Sequence, residues 1–352
     1  MSINAFSRTI TSPEQPLSPI KGAEYDCIIT GRGRSCANCT DSQTSIKQKK
    51  QLRPQFETQS VRVMSFNIRY GNARDGRNSW KYRNSQVLSV LREQNADIIG
   101  LQEALRFQLN EISSAMDDYA EIGSGRDDGD TLGEYSPILY KKERFTAIKS
   151  GTFWFSDTPL VPGSKHWGNK YPRIFTFVKL TDKITGKKIL VYNVHLDHAN
   201  SYSRWRSISL LHTHIGENKC AKTSIVILGD FNSGENSAII KYMTGRVNFL
   251  NSKDSANKNP LPLKDSFRSV HPRGFDGTFH MFWGKNFGPR LDYIFVSNDA
   301  QIKEASIIRS NVKGRYPSDH FPITAVIVFS PDSKDNLVTN LLRPFFNVTE
   351  AH

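Results

Sequence analysis

Apolar residues recur in short runs from residue 61 to residue 329, either alternating with polar residues or standing together. Val61–Asn67 alternates with the period of two that a half-buried strand requires. On this pattern we predict strands over residues 61–67, 97–103, 136–140, 175–180, 188–195, 223–228, 290–296 and 321–329, and helices over residues 82–94 and 202–217. Many strands with helices interleaved irregularly predict an α/β or α+β layered domain.

The two ends of the chain lack this periodicity. Residues 1–60 are rich in Ser, Thr, Gln, Pro and Gly, and we predict a disordered or loosely packed extension there. Residues 61–330 are predicted to form one domain, and residues 331–352 a C-terminal tail. We find no secretory signal at the N-terminus and no apolar stretch of the roughly 18 residues that span a bilayer. We therefore expect a cytoplasmic protein, and a monomer.

The formal net charge of +13 marks a strongly basic chain. Such a chain attracts polyanions, which include nucleic acids, phosphoinositide head groups and anionic membrane surfaces. Cys27, Cys36 and Cys39 cluster near the N-terminus, but a structural zinc site needs a fourth ligand and no His precedes His166. We therefore interpret these three cysteines as free thiols.

Side chains able to bind metals or move protons stand next to the predicted strands. Asn67, Glu103, His195, Asp230 and Asn232 follow strands, whereas Asp292, Asp319 and His320 lie near the start of strands. Because strand ends of a layered sheet gather at one edge, we expect these groups to share one site. Each residue alone is more often a solvated strand end or a structural residue. Together they favour a site for a hard cation, Mg²⁺ or Mn²⁺, rather than zinc.

Six motifs carry a resemblance to a known family. They are Ser65-Phe-Asn-Ile-Arg69, Leu101-Gln-Glu103, Asn193-Val-His-Leu196, Gly229-Asp-Phe-Asn232, Arg290-Leu-Asp-Tyr293 and Ser318-Asp-His320. In this order they resemble the motifs of the endonuclease/exonuclease/phosphatase (DNase I-like) superfamily. The resemblance implies a four-layer α/β/β/α sandwich of two mixed β-sheets and metal-dependent hydrolysis of phosphoric esters.

The resemblance also implies roles for single residues. The metal site would consist of Asn67, Glu103 and Asp319, and the catalytic groups would be His195, Asp230, Asn232, Asp292 and His320. In that scheme Glu103 is the direct metal ligand, and His195 contacts the scissile phosphate. Asn232 stabilises the transition state, and Asp292 polarises His320. Either Asp230 or His320 takes the proton of the attacking water, and the sequence does not decide between them.

Other segments resemble a subgroup of bacterial and fungal phosphoesterases near the deadenylases. They include Gly151-Thr-Phe-Trp-Phe-Ser156 and Thr278-Phe-His280. In this subgroup an arginine stands at Arg173, and its guanidinium is suited to gripping a phosphate. His280 and Trp283 belong to an aromatic cluster that either stacks on a nucleobase or fills the core. We predict substrate binding for Arg173, His280 and Trp283.

Three functions are compatible with these observations. The basic charge and the aromatic cluster favour a nuclease, either an RNA 3′-exonuclease or a DNA endonuclease. A phosphatase or phosphodiesterase of a small molecule or lipid head group, such as an inositol phosphate, a nucleotide or sphingomyelin, is the first alternative. A binding module without catalysis is the second, and the complete set of acids, amides and imidazoles argues against it.

Overall fold

The computed structural model describes residues 59–220, 222–248 and 259–330. These residues all belong to one compact unit, Leu52–His352. The predictions for the N-terminal extension, its three cysteines and the C-terminal tail fall on residues outside the described part.

Twelve strands and five helices make up the described part of the chain. The strands are β1 Val61–Asn67, β2 Ile98–Gln102, β3 Tyr119–Ile122, β4 Ile138–Lys141, β5 Phe145–Trp154, β6 Ile174–Asp182, β7 Lys188–His195, β8 Thr223–Asp230, β9 Lys264–Asp265, β10 Asp292–Val296, β11 Ala300–Ile307 and β12 Ile323–Phe329. The helices are α1 Asn84–Gln94, α2 Arg106–Ala115, α3 Ser201–Asn218, α4 Ala238–Met243 and α5 Ser266–Val270. Two 3₁₀ turns, Gly76–Asn78 and Trp80–Tyr82, precede α1.

The strands form two mixed sheets of six strands each. The first has the order β11-β12-β1-β2-β4-β3, and the second has the order β5-β6-β7-β8-β10-β9. In each sheet one central pair is parallel, β1 with β2 and β7 with β8, whereas the pairs around it are antiparallel. A parallel pair delivers both of its C-terminal ends to the same edge of the sheet.

Three apolar clusters divide the molecule into layers. One cluster lies between the sheets and joins residues of both, including Val63, Ile98, Val191 and Leu228. A second packs the outer face of the second sheet against α3 and α4, and a third packs the first sheet against α1 and α2. The four-layer α/β/β/α sandwich implied by the resemblance is therefore confirmed.

The sequence pattern found the central strands and missed the short or exposed ones. Strands β3, β5, β9 and β11 and helices α2, α4 and α5 were not predicted. Eight of the ten residues of β5 are exposed or half-buried, which hides it from a search for buried runs. None of the helices in the described residues has the length and apolar character needed to cross a bilayer.

Candidate active site

The two parallel pairs and β10 bring the predicted residues to one edge of the sandwich. Asn67 is the last residue of β1 and pairs with Gln102, the last residue of β2. In the second sheet His195 pairs with Asp230, which in turn pairs with Asp292 at the start of antiparallel β10. The register therefore sets an imidazole and two carboxylates side by side on three neighbouring strands.

Asn67 links the acids of the two sheets. Its Nδ2 donates to Glu103 Oε1 at 3.0 Å and to Asp230 Oδ2 at 3.1 Å. The other oxygen of Glu103 accepts the backbone N–H of Tyr70 at 2.8 Å. Glu103 has a left-handed backbone with φ of 60°, which turns its side chain out of the β2 direction. Such strain in a non-glycine residue is typical of functional sites.

His320 and Asp292 form a buried pair. The distance between His320 Nδ1 and Asp292 Oδ2 is 2.8 Å, and both residues are buried. His320 Nε2 lies 3.9 Å from Asp230 Oδ2 and so faces the cluster of acids. Burial lowers the pKa of His320, but the nearby charge and hydrogen bond of Asp292 outweigh it and raise that pKa to about 10. His320 is therefore an imidazolium at neutral pH.

His195 joins the acids to a second charged group. Its Nε2 lies 3.7 Å from Asp230 Oδ2 and 3.2 Å from Arg173 Nη1. Arg173 is buried, and its Nη2 lies 2.7 Å from His198 Nδ1. Burial, and then the charge of Arg173, hold the pKa of His195 well below its usual range. A neutral His195 beside a buried guanidinium is suited to contact an anion.

Asn232 and Asp319 complete the predicted set. Asn232 has a φ of 46°, and its backbone N–H donates to Asp230 Oδ1 at 2.8 Å, which fixes that carboxylate. The side-chain amide of Asn232 donates to Leu196 O at 2.9 Å. Asp319 Oδ2 lies 3.6 Å from Arg69 Nη1, and its Oδ1 accepts the Ser318 hydroxyl at 3.2 Å.

The carboxylates of the site crowd one another. Burial, followed by the charge of Asp292, raises the pKa of Asp230 to about 7. Burial also raises the pKa of Asp319, to which the charge of Glu103 adds. Burial opposes ionisation of Glu103 as well, but hydrogen bonds from Asn67 and the charge of His320 lower its pKa. Buried carboxylates that raise each other's pKa form a site that a cation would stabilise.

The donor set fits a hard divalent cation. The metal-binding roles of Glu103, Asp319 and Asn67 stay predictions, and the amide oxygen of Asn67 already accepts the backbone N–H of Arg69 at 3.0 Å. Asp230, Asp292 and His320 offer ligand atoms that all lie within 4.8 Å of one another. In this second group His320 Nδ1 and Asp292 Oδ2 already bind each other, so fewer atoms are left for an ion. Asp292 Oδ1 is buried and finds no hydrogen-bond partner among the described residues, which is consistent with unbalanced charge there.

Residues that the sequence analysis did not select hold the site together. The buried Arg83 donates to Ile68 O at 2.6 Å and to Pro317 O at 2.9 Å, which joins the segment after β1 to the one before Asp319. Glu134 Oε2 lies 3.9 Å from His195 Nδ1 and accepts a hydrogen bond from Arg126 at 2.6 Å. Arg126 and Glu134 lie outside every predicted strand and helix, and the helix predicted over residues 82–94 gave no sign that Arg83 is buried beside the site.

The aromatic cluster divides into a buried part and an exposed part. His280 is buried, and its ring stacks on Phe321 with ring centres 3.8 Å apart. Its backbone N–H donates to Asp319 O at 2.8 Å, so the loop that follows begins beside the site. Trp283 and Phe287 in that loop are 68% and 72% exposed. The substrate-binding roles of His280 and Trp283 stay predictions.

Known proteins resemble this chain over the same region. The model of the endonuclease/exonuclease/phosphatase family matches residues 64–320. The structure of an endonuclease/exonuclease/phosphatase from Bacteroides vulgatus is 32% identical, with a TM-score of 0.68, covering 77% of this chain and 99% of that one. The structure of a mannosyl-6-phosphatase from Bacteroides thetaiotaomicron is 30% identical, with a TM-score of 0.66. The match covers 76% of this chain and 100% of that protein.

A viral protein resembles a smaller part of the chain. An uncharacterized protein of Acanthamoeba polyphaga mimivirus is 29% identical over 163 residues, which are 44% of this chain and 60% of the viral protein. The match therefore spans less than two thirds of that relative.

Proposed function

This chain belongs to the endonuclease/exonuclease/phosphatase family, a family of phosphoester hydrolases, and from that premise we propose that its substrates are phosphomonoesters of small polar molecules, with sugar phosphates as the first class. The family generally depends on divalent metal ions, and the acids and imidazole of the site are compatible with one. The mannosyl-6-phosphatase, 30% identical over its whole length, supports the sugar phosphate.

One observation carries the proposed chemistry: Asn67 donates to Glu103 and to Asp230 at once. This amide couples a metal-binding carboxylate of the first sheet to a proton-accepting carboxylate of the second. The bound cation, Mg²⁺ or Mn²⁺, would be held by Glu103, Asn67 and Asp319, and would supply charge neutralisation for the phosphate. The remaining steps belong to groups of the protein.

We propose that Asp230 accepts the proton of the attacking water. Both of its oxygens are fixed, one by the Asn67 amide and the other by the Asn232 backbone N–H, so that the carboxylate is held in one orientation. A pKa of about 7 is close to that expected of a general base at neutral pH. His320, charged and oriented by Asp292, would donate a hydrogen bond from Nε2 to a phosphate oxygen, and the leaving sugar oxygen would take a proton from solvent water as its bond to phosphorus breaks. His195 and Arg173 would contact the phosphate from the other side.

A nuclease is the second candidate, and the exposed Trp283 and Phe287 favour it. Exposed aromatic rings beside a site can stack on nucleobases, and a net charge of +13 attracts a polyanion. If the substrate were RNA or DNA, its Michaelis constant would rise steeply with salt, because Lys and Arg contacts release condensed counterions.

The test compares substrates with Mg²⁺ present. Phosphate release from mannose 6-phosphate and other hexose phosphates is measured beside cleavage of single-stranded RNA and DNA. We expect release of phosphate from the sugar esters, and its absence in the Glu103→Gln variant. Cleavage of the nucleic acids alone would contradict the proposed substrate and favour the nuclease.

A further inference from the structure

A second buried arginine lies next to the proposed phosphate site. Arg126, in the loop between β3 and β4, is 9% exposed although it carries a full charge. Its Nη1 donates to Glu134 Oε2 at 2.6 Å, and the same oxygen lies 3.9 Å from His195 Nδ1. Arg173 approaches His195 from its other nitrogen, at 3.2 Å. One imidazole therefore stands between two buried guanidinium groups.

The backbone around Arg126 is fixed rather than free. The indole N–H of Trp154 donates to Arg126 O at 2.6 Å, and the Arg126 N–H donates to Glu134 O at 3.1 Å. The guanidinium carbon lies 5.5 Å from the centre of the Tyr171 ring. A guanidinium held in this way loses little further freedom when it binds a ligand, which favours tight recognition.

The hydrogen bonds of Arg126 are incomplete. Its Nε is buried and has no hydrogen-bond partner within the described residues, and an oxygen of Asp127 is 3.8 Å away from it. A buried charged donor without a partner is costly and calls for an acceptor from a ligand or from water. The Nε of Arg144 also lacks a partner within the described residues, but Arg126 differs from it in lying beside the carboxylate that faces His195. Arg126, Glu134, Arg173 and His195 line one narrow cleft, which leaves no room for a water molecule in this structure, so the cleft must open before a ligand brings the missing acceptor.

The charged groups on this cleft balance one another. Glu134 is the carboxylate that separates the two guanidinium groups, and Asp197 Oδ2 lies 3.5 Å from Arg173 Nε. The other oxygen of Asp197, Oδ1, accepts the backbone N–H groups of Ala199 and Asn200, at 2.9 and 2.7 Å. The cleft therefore offers an anion the hydrogen-bond donors of two guanidinium groups, without an excess of positive charge.

We propose that Arg126 binds the terminal phosphate of the substrate together with Arg173, and that it thereby selects phosphomonoesters over phosphodiesters. A terminal phosphate carries about −1.5 to −2 charges at neutral pH and three acceptor oxygens. A phosphodiester carries one charge and lacks the third free oxygen. Both guanidinium groups find oxygens to bind on a terminal phosphate, whereas a phosphodiester leaves one of the two groups without an oxygen. This inference rests on the proposed function, because it names the feature of the substrate that the site reads.

The test uses a matched pair of esters, 4-nitrophenyl phosphate and its methyl diester, with the full-length protein and Mg²⁺. We expect Arg126→Gln to raise KM for the monoester, and the inhibition constant of inorganic phosphate, by about 10- to 100-fold. The kcat/KM for the diester should change by less than about 3-fold, since the diester lacks the oxygen that Arg126 binds. Arg126→Lys keeps the charge but loses the planar pair of N–H donors, so its KM for the monoester should lie between those of the wild type and of Arg126→Gln.

A control variant separates recognition from folding. Arg144 is equally buried and pairs with Asp97 at 2.9 Å and Asp182 at 3.1 Å, at the end of the sheets opposite the site. Arg144→Gln should lower thermal stability without changing the ratio of monoester to diester activity. Circular dichroism checks that each variant is folded, and if Arg126→Gln does not fold, Arg126→Lys decides.

Two results would overturn the inference. Equal losses on the two esters, expressed in kcat, would show that Arg126 only positions Glu134 and His195. An unchanged inhibition constant of phosphate in a folded variant would show that Arg126 does not bind phosphate at all. If the wild-type protein releases no phosphate from any monoester, the proposed function itself fails. If the wild type is active and the variant keeps the same selectivity, only the inference about Arg126 fails.

Discussion

At the scale of single residues, the site depends on which partner each charged group has. Asn67 donates hydrogen bonds to two carboxylates, and Asp292 is hydrogen-bonded to one imidazole. A group that has one specific partner loses its function when the partner is changed, even if the fold survives. Three substitutions test this dependence.

Glu103→Gln should abolish activity through lost metal affinity. An amide is a far poorer ligand for a hard cation than a carboxylate, and its single oxygen can replace only one of the two oxygens that accept from Asn67 and Tyr70. The measurement is the initial rate against Mg²⁺ concentration, and we expect the half-saturating concentration to rise by about 10-fold or more. A variant with the Mg²⁺ dependence of the wild type would show that Glu103 is not a ligand.

Asp292→Asn and His320→Ala should each lower kcat by about two to four orders of magnitude, because the first removes the charge that keeps His320 protonated and oriented and the second removes the imidazolium itself. The two side chains lie 2.8 Å apart and act as one unit, so the double variant should be little worse than either single variant. Turnover at saturating Mg²⁺ is measured for all four proteins. Losses that multiply would mean that the pair is not coupled.

At the scale of elements, a polar link ties the two sheets together below the site. Asn193 on β7 donates to Leu101 O and to Pro137 O, both at 2.7 Å, and accepts from Gln102 Nε2 at 2.7 Å. This side chain therefore joins β7 to β2 and to the segment before β4. Buried amides of this kind are costly to replace, because their partners are left without hydrogen bonds.

Asn193→Leu should destabilise the protein by about 2–4 kcal/mol, since it removes three buried hydrogen bonds while keeping a similar volume. Urea denaturation measures the free energy of unfolding. The matched control is Asn298→Ala, at an exposed amide that donates to Pro262 O at 3.3 Å, and it should cost less than about 0.5 kcal/mol. Equal effects of the two substitutions would show that the link between the sheets contributes nothing special.

At the scale of the whole molecule, the layers bury titratable groups far from the site. His214 on α3 lies among aromatic rings of the second sheet, with ring centres 4.6 Å from those of Phe153 and Phe177. Burial lowers the pKa of His214 to about 4. A histidine that is neutral in the folded protein makes the stability of the whole domain depend on pH.

The sign of this dependence follows from proton binding. Between pH 4 and the ordinary histidine pKa of 6.5, the unfolded chain binds a proton that the folded His214 does not. The contribution of His214 is therefore complete above pH 6.5 and is lost as the pH falls towards 4, by about 2–3 kcal/mol.

His214→Gln should flatten this part of the profile of unfolding free energy against pH, compared with the wild type. The matched control is His166→Gln, at a side chain that is 43% exposed and should leave the profile unchanged. A His214→Gln profile that parallels the wild type would show that His214 is not the group responsible.

The sequence by itself determined the central strands, the motifs and the chemical types at the site. Strands such as β8, with every residue buried, have an apolar pattern that only a strand between two layers satisfies. The residues that end these strands were identifiable because their polar character interrupts an apolar run. The subgroup resemblance likewise pointed to Arg173, which the structure places beside His195.

Only the tertiary structure decided which of these groups touch, and which unmarked residues join them. The pairing of Asp230 with Asp292 depends on the antiparallel register of β8 and β10, which no local pattern encodes. Arg126 lies in a loop without periodicity and Arg83 in the turn before α1, so their burial follows from how distant segments pack. Local sequence fixes the direction and polarity of a strand, whereas contacts between strands arise only when both sheets have assembled.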